Sequence, residues 1–390
     1  MSQGSAEAIA MIEKFIAFDT TSRDSNLPLI DFVADYLDGL GAETQIIRNE
    51  AGDKANLLAR IGPNVEGGVI LSGHTDTVPV ADQIWTSDPY RLERRDDKLY
   101  GRGTTDMKSF LAICTSMAPR FAAANLREPI YLAMSYDEEI GCLGVPSLID
   151  RLHALQWRPR ACIVGEPSGM DVLIGHMGAQ GFETVVTGRD AHSSQMGFGV
   201  NAIALAAELI RFLDGLVETM GRDAATDPLF GSTFVPVNIG VIEGGTACNI
   251  VAQKCSFTWT YRDVPGTDRD AVVNRLRDYV DHVLLPSMGE KGAAARVETC
   301  RTIDFVGLRP DPGNEAEALA LRCSGANGSR VDVFGTEAGL FQQAGIATVV
   351  CGPGDIAQAH RPDEYLSVEQ VGRCEQFLDR LMEELAQRRN

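Results

Sequence analysis

The sequence predicts an α/β protein made of one discontinuous domain and a second domain inserted into it. Three observations carry this. Over about residues 1–180 and 305–390, short apolar runs that read as buried strands alternate with amphipathic helical stretches. Between residues 181 and 304 the rhythm changes to βαββαβ, the ferredoxin-like order. Four apolar strands of the outer segments end in polar turns marked by Gly or Pro, whereas the insert places few acids or histidines at strand ends. A chain of 390 residues is long enough for two such domains.

Taken in order, Ala6 to Phe18 carries Ile9, Ile12, Phe15 and Ile16 at helical spacing. Pro28 to Leu40 repeats the pattern, and Gly39 and Gly41 help to end it. Strands are expected at Glu43–Ile47, Asn56–Ile61 and the run Val69-Ile70-Leu71, and Arg91–Arg95 with Lys98–Tyr100 reads as a polar hairpin. A helix from Met107 to about Ala124 follows the glycines of Gly101-Arg102-Gly103. These glycines are no phosphate loop: the Gly-Lys-Ser/Thr ending is missing, and Asp106 would repel a phosphate. Then come strand Pro129–Ser135, a helix from about Gly144 to Leu155, and strand Arg160–Gly165. The insert reads as strand Phe182–Gly188, helix Val200–Met220, strands Thr233–Ile242 and Val251–Arg262, helix Asp268–Leu285 and strand Ala294–Asp304. Strand Ile346–Cys351 and a helix from Val368 to about Gln387 complete the outer domain.

Composition excludes some classes of function. With 35 basic and 54 acidic residues the formal charge is −19, which argues against nucleic acid or an anionic membrane as partner. No apolar run approaches the ~20 residues of a membrane span. The N-terminus lacks a basic stretch followed by an apolar core, so no secretory signal is expected. The nine cysteines are scattered without a Cys-x-x-Cys pair and read as reduced, buried thiols of a cytoplasmic protein.

Chemistry gathers at the strand ends. His74 and Asp76 sit two apart in Ser72-Gly73-His74-Thr75-Asp76-Thr77-Val78-Pro79, and residues i and i+2 of an extended chain face one side. Asp137-Glu138-Glu139 ends a second strand and Glu166-Pro167-Ser168 a third; Gly352-Pro353-Gly354 ends a fourth, with His360 just beyond. Asp106 opens a helix, where it would also serve as an ordinary cap. Ligands of open α/β sheets bind beyond the carboxyl ends of the strands, so these residues have a topological reason to converge. Imidazoles and carboxylates without thiolates suit Zn²⁺, and also Co²⁺ or Mn²⁺. The set is too large for one tetrahedral ion. With Asp106 bridging, His74 and Glu166 would complete one site, and Glu139 and His360 the other. Three carboxylates and a bridging hydroxide would then balance two divalent ions. Glu138 is left over beside them, as a general base for water would be.

The stretches Ser72–Pro79, Tyr100–Lys108, Tyr136–Glu139, Gly165–Ser168 and Gln358–Tyr365 resemble, in order and spacing, the dinuclear zinc family of acetylornithine deacetylases, succinyl-diaminopimelate desuccinylases, aminoacylases and related exopeptidases. The resemblance spans essentially the whole chain. Gly73–Pro79, Gly335-Thr336-Glu337-Ala338 and Gly352-Pro353-Gly354 with Gln358-Ala359-His360 look most like its acetylornithine deacetylase branch. It implies a zinc-peptidase-like three-layer catalytic domain (1–180 and 305–390) and an inserted dimerisation or lid domain (181–304). It also implies a homodimer, two divalent metal ions, the ligands His74, Asp106, Glu139, Glu166 and His360, Asp76 behind His74, and Glu138 as base. His192, in Ala191-His192-Ser193-Ser194, is implied to reach an active site, the partner subunit's, and to stabilise an oxyanion there. The expected reaction is hydrolysis of an N-acyl amino acid, N2-acetyl-L-ornithine first, with succinyl-diaminopimelate or a broader set of acyl-amino acids or dipeptides as the alternative. Arg262, with Asn249 nearby, is the candidate for the substrate's α-carboxylate, since a guanidinium pairs with a carboxylate in bidentate fashion. Glu337 is the candidate for a cationic substrate side chain.

Overall fold

The structure is a computed structural model that describes residues 4–223, 226–232 and 237–386. It divides into two compact units. One takes in the chain up to His176, Leu308–Asp332 and the chain from Thr336 on; the other takes in Met177–Gly307 and Val333–Gly335.

The first unit is built on an eight-stranded mixed sheet. Its strands are β1 (Glu43–Arg48), β2 (Ala55–Ile61), β3 (Val69–His74), β4 (Ile130–Ser135), β5 (Ala161–Pro167), β6 (Val172–His176), β7 (Ser329–Asp332) and β8 (Ala347–Gly352). They lie in the order β1-β2-β4-β3-β5-β8-β6-β7. The centre is parallel: β4 with β3, β3 with β5, and β5 with β8. Parallel strands covered on both faces read as continuous apolar runs, and β3, β4 and β5 are buried at every residue. The β1 edge alternates between exposed and half-buried positions.

Because β3, β4 and β5 run the same way, their carboxyl ends lie side by side; His74 pairs in register with Ser135. Helix Lys108–Ala123 approaches this end closely, and two glycines make room for it. A Cβ on Gly73 would lie 2.3 Å from Met107 Cε, and one on Gly165 would lie 2.0 Å from the Phe110 ring. Each glycine directly precedes a candidate ligand, His74 or Glu166, so the missing side chains let the Asp106 end of the helix come down beside both.

The second unit carries a four-stranded antiparallel sheet in the order Asn238–Gly244, Lys254–Asp263, Gly178–Thr187, Arg296–Phe305. Helices Ala202–Asp223 and Ala271–Tyr279 complete the βαββαβ order expected from the sequence, in its ferredoxin-like form. Burial alternates strictly along Lys254–Asp263, as in a sheet with one covered face. Phe182 and Trp259 stack on that face with centroids 4.5 Å apart, and Trp259 Nε1 donates to Thr184 Oγ1 at 3.0 Å. The strand expected at Thr233–Ile242 begins at Asn238, and residues 233–236 of that expectation lie outside the described residues.

Candidate metal centre

Six of the residues singled out in the sequence meet at one end of the first unit's sheet. His74 closes β3, Glu138 and Glu139 follow β4, and Glu166 is the penultimate residue of β5. Asp106 precedes helix Lys108–Ala123 across a cis peptide to Met107. His360 comes from the loop after β8, in the left-handed backbone region with φ 63°. All but His360 are largely buried.

Asp106 lies at the centre. Its Oδ1 is 3.0 Å from His74 Nε2, and its Oδ2 is 3.1 Å from His360 Nε2. His74 Nε2 also lies 3.6 Å from Glu166 Oε1, and His360 Nε2 lies 3.0 Å from Glu139 Oε2. Potential ligand atoms of His74, Asp106 and Glu139 fall within 4.8 Å of one another, as do those of His74, Glu138 and Glu166. One carboxylate thus addresses two imidazoles with separate oxygens, each imidazole having a further carboxylate beside it.

The charges do not balance with these side chains alone. Four buried carboxyls, Asp106, Glu138, Glu139 and Glu166, face two imidazoles. Burial pushes the Glu138 and Glu166 carboxyls well above the ordinary range, and pushes Glu139 up as well. Burial acts on Asp106 in the same direction, but hydrogen bonds from His360 and His74 outweigh it and hold that carboxyl below the ordinary range. His74 is driven well up: burial opposes its charge, but the Asp106 contact and the neighbouring carboxylates overcome it. Glu139 Oε1 is buried with no hydrogen-bond partner among the described residues. A surplus of buried acceptors without donors is costly for a protein by itself and fits bound cations.

The surrounding contacts correct two expectations. The Asp76 carboxylate does not orient His74. His74 Nδ1 lies 2.9 Å from the Asp76 backbone carbonyl, which can only accept, whereas Asp76 Oδ1 is 3.6 Å away, beyond a hydrogen bond. The proton therefore sits on Nδ1, and Nε2 faces Asp106 and Glu166. The carboxylate supports the next turn instead: Oδ1 accepts from Glu138 N at 3.1 Å, and Oδ2 accepts from Glu139 N at 3.3 Å and Ser22 Oγ at 2.7 Å. Glu337 does not face a substrate cation. It is wholly buried, and its two oxygens accept from Ser72 Oγ and Ser135 Oγ, each at 2.6 Å, so it ties β3 to β4 beneath the site.

The other three candidates belong to the second unit. His192 is exposed, and its Nδ1 lies 2.8 Å from Ser194 Oγ. Asn249 is its neighbour, with its carbonyl accepting from Ser193 N at 2.9 Å. Arg262 is exposed on strand Lys254–Asp263 and donates to the Val333 carbonyl at 3.2 Å; it is Arg269, not Arg262, that pairs with Asp263. Sequence reasoning passed over Lys54, whose ammonium is nearly buried against Asp137 Oδ1 at 2.5 Å and the Ser22 carbonyl, and over Arg102 and Glu364. The available signal for Lys54 was its place directly before the apolar strand Ala55–Ile61.

Comparison with known proteins agrees with this geometry. The profile of peptidase family M20/M25/M40 matches residues 70–384. The acetylornithine deacetylase of Myxococcus xanthus is 35% identical over 376 residues, 95% of each chain. That of Pasteurella multocida is 32% identical over 370 residues, 92% of this chain and 91% of its own. Among solved structures, an M20 family metallo-carboxypeptidase from Sulfolobus solfataricus superposes with TM-score 0.76 at 18% identity, covering 98% of this chain and 99% of its own. A dinuclear metal-binding M20 peptidase from Bacillus subtilis gives TM-score 0.62 at 17% identity, covering 97% and 99%. The two structures share the fold, and the family profile and the deacetylases match over most of the chain: the chain belongs to peptidase family M20/M25/M40.

Proposed function

We propose that this protein hydrolyses the acetyl amide of N2-acetyl-L-ornithine to ornithine and acetate, using two divalent metal ions, with Zn²⁺ the best fit to the donors and Co²⁺ or Mn²⁺ able to replace it. The observation that carries the reading is Asp106, with one oxygen toward His74 and the other toward His360. His74, Asp106 and Glu166 would hold one ion, and Asp106, Glu139 and His360 the other. The substrate is taken from the deacetylases that match over nearly the whole chain. When bound, the ions supply Lewis acidity to the amide carbonyl and make water acidic enough to attack near neutral pH.

Glu138 does the proton work. Its carboxylate takes a proton from the attacking water as the oxygen–carbon bond forms, and returns it to the departing nitrogen as the carbon–nitrogen bond breaks. Its buried setting raises its affinity for that proton, and Asp76 holds its backbone in place. Arg262 and Asn249 bind the α-carboxylate, and His192 stabilises the oxyanion in the partner subunit's site, with residues 181–304 serving as the dimerisation and lid domain. The free, mostly buried cysteines suit a reducing cytoplasm, and no helix among the described residues is long and apolar enough to cross a membrane.

The test is a substrate panel with metal analysis. Acetylornithine should be cleaved faster than succinyl-diaminopimelate or acetylmethionine, and the purified protein should carry stoichiometric metal. Preference for either competitor would overturn the substrate. Activity untouched by a chelator, in protein free of zinc, cobalt and manganese, would overturn the metal centre.

A further inference from the structure

Asp106 and His360 both sit on loops, yet two ions can share a ligand only if such loops are held to a fraction of an ångström. One buried side chain touches both. Glu364 is 1% exposed and lies four residues beyond His360. Its Oε1 accepts from the backbone N–H of Thr105 at 2.7 Å and of Asp106 at 3.0 Å. Its Oε2 accepts from Arg102 Nη1 at 2.7 Å and from Gly103 N at 3.2 Å. The main chains close around the same point: Gly101 N donates to the Glu364 carbonyl at 3.0 Å, and Thr105 Oγ1 to the Tyr365 carbonyl at 2.6 Å. Arg102 then leads back to the other loop. Its Nη2 donates to Gln83 Oε1 at 2.6 Å, and Gln83 Nε2 donates to the His360 carbonyl at 2.9 Å.

We propose that Glu364 is a positioning residue that fixes Asp106 directly, and His360 through Arg102 and Gln83, at the separation two metal ions need. The proposal rests on the reading of Asp106 and His360 as metal ligands. Three converging backbone N–H groups and a guanidinium make an anion nest, and Glu364 fills it from the far loop. Hydrogen bonds to a carboxylate are about twice as strong as neutral ones, and a buried donor left without an acceptor is costly. An ion pair serving only the fold would brace scaffold; here two of the donors are the amide of the bridging ligand and that of the residue before it. Loss of the carboxylate therefore reaches Asp106 with nothing in between.

The test uses the full chain with Glu364→Gln and Gln83→Ala. The Gln side chain keeps the size but turns an –NH2 toward one of the two donor pairs whichever way it rotates. Zn²⁺ and Co²⁺ dissociation constants are measured by titrating chelator-stripped protein. Amide hydrogen exchange across residues 103–106 is measured in the stripped protein, and thermal melting checks the fold. Glu364→Gln is expected to weaken metal binding by about 10- to 100-fold and to speed exchange at Thr105 and Asp106. Gln83→Ala changes a partly exposed side chain, and is expected to weaken binding less while leaving exchange at Thr105 and Asp106 as in wild type. Unchanged affinity and unchanged exchange in a folded Glu364→Gln protein overturn the proposal. If that variant does not fold, wild-type affinity in Gln83→Ala overturns it. Wild-type protein that takes up no metal overturns the ligand reading instead, and the exchange measurement still decides whether Glu364 holds the loop.

Discussion

Replacing Asp76 by Asn tests how the turn after β4 presents Glu138. The carboxylate accepts three hydrogen bonds, from Glu138 N at 3.1 Å on Oδ1, and from Ser22 Oγ at 2.7 Å and Glu139 N at 3.3 Å on Oδ2. An Asn side chain has one oxygen and one –NH2, so its best placement keeps the oxygen toward Ser22 and Glu139 and sets the –NH2 against the Glu138 N–H. One charge-assisted bond is lost, worth about 1.5–3 kcal/mol. At about 1.4 kcal/mol per decade this is roughly 10- to 150-fold. His74 keeps its orientation, because its Nδ1–H goes to the Asp76 backbone carbonyl at 2.9 Å, which the substitution leaves in place. The expected result is a fall in kcat of that size, with KM and bound metal little changed, read by ornithine release and elemental analysis. An unchanged kcat would refute the reasoning. So would loss of metal with undiminished turnover per metal-loaded molecule, which would return Asp76 to a place behind His74.

Three further outcomes are expected. Glu138→Gln should lower kcat by about 100- to 10,000-fold while both ions stay bound, since only the proton carrier is removed; a variant that loses its metal would make Glu138 a ligand. Lys54→Met leaves the Asp137 carboxylate, 7% exposed, without its ion partner. Chemical denaturation should then show a loss of about 3–5 kcal/mol, much of it recovered when Asp137→Leu is added. In chelated protein, hydrogen bonds to Asp106 and then Glu139 push His360 up to about 10 from its ordinary 6.5. Its contribution to stability is therefore full below pH 6.5 and is lost as pH rises through 10. The melting temperature of chelated wild type should fall more steeply across that window than that of chelated His360→Gln, and parallel curves would contradict this.

The strand-end acids and histidines were legible because each follows a short apolar run, and an α/β sheet has only one edge where such ends collect. What stayed hidden has physical reasons. β7 reads Ser329-Arg330-Val331-Asp332, a polar edge strand whose Arg330 pairs with Asp171 and Asp332, so no apolar run announces it. Helix Ala338–Gln343 has six residues, too few for a helical period to emerge. Glu337 sits in Gly335-Thr336-Glu337-Ala338, a phrase read by resemblance as a substrate contact, yet the two serines that claim its oxygens are 202 and 265 residues away in sequence. Asp76 and Glu138 are 62 residues apart, and no local pattern discloses that one carries the other's amide. The sequence locates groups with chemistry; which atom of each group is already engaged depends on contacts that local spacing does not encode.

The placement of β8 has a consequence for how the chain is made. Ala347–Gly352 pairs in parallel with Ala161–Pro167 inside the sheet, yet it is synthesised more than a hundred residues later. During translation the Met177–Gly307 unit is contiguous apart from Val333–Gly335 and can collapse as it emerges. Meanwhile β5, buried along its whole length in the finished protein, waits with an open edge that any other extended chain could join. Until β8 is made, the nascent first half keeps that strand edge unpaired. Slowing the ribosome between the codons for Asp332 and Ala347 should prolong that interval, and His360, which follows β8 in the chain, emerges only after the strand that fills the edge.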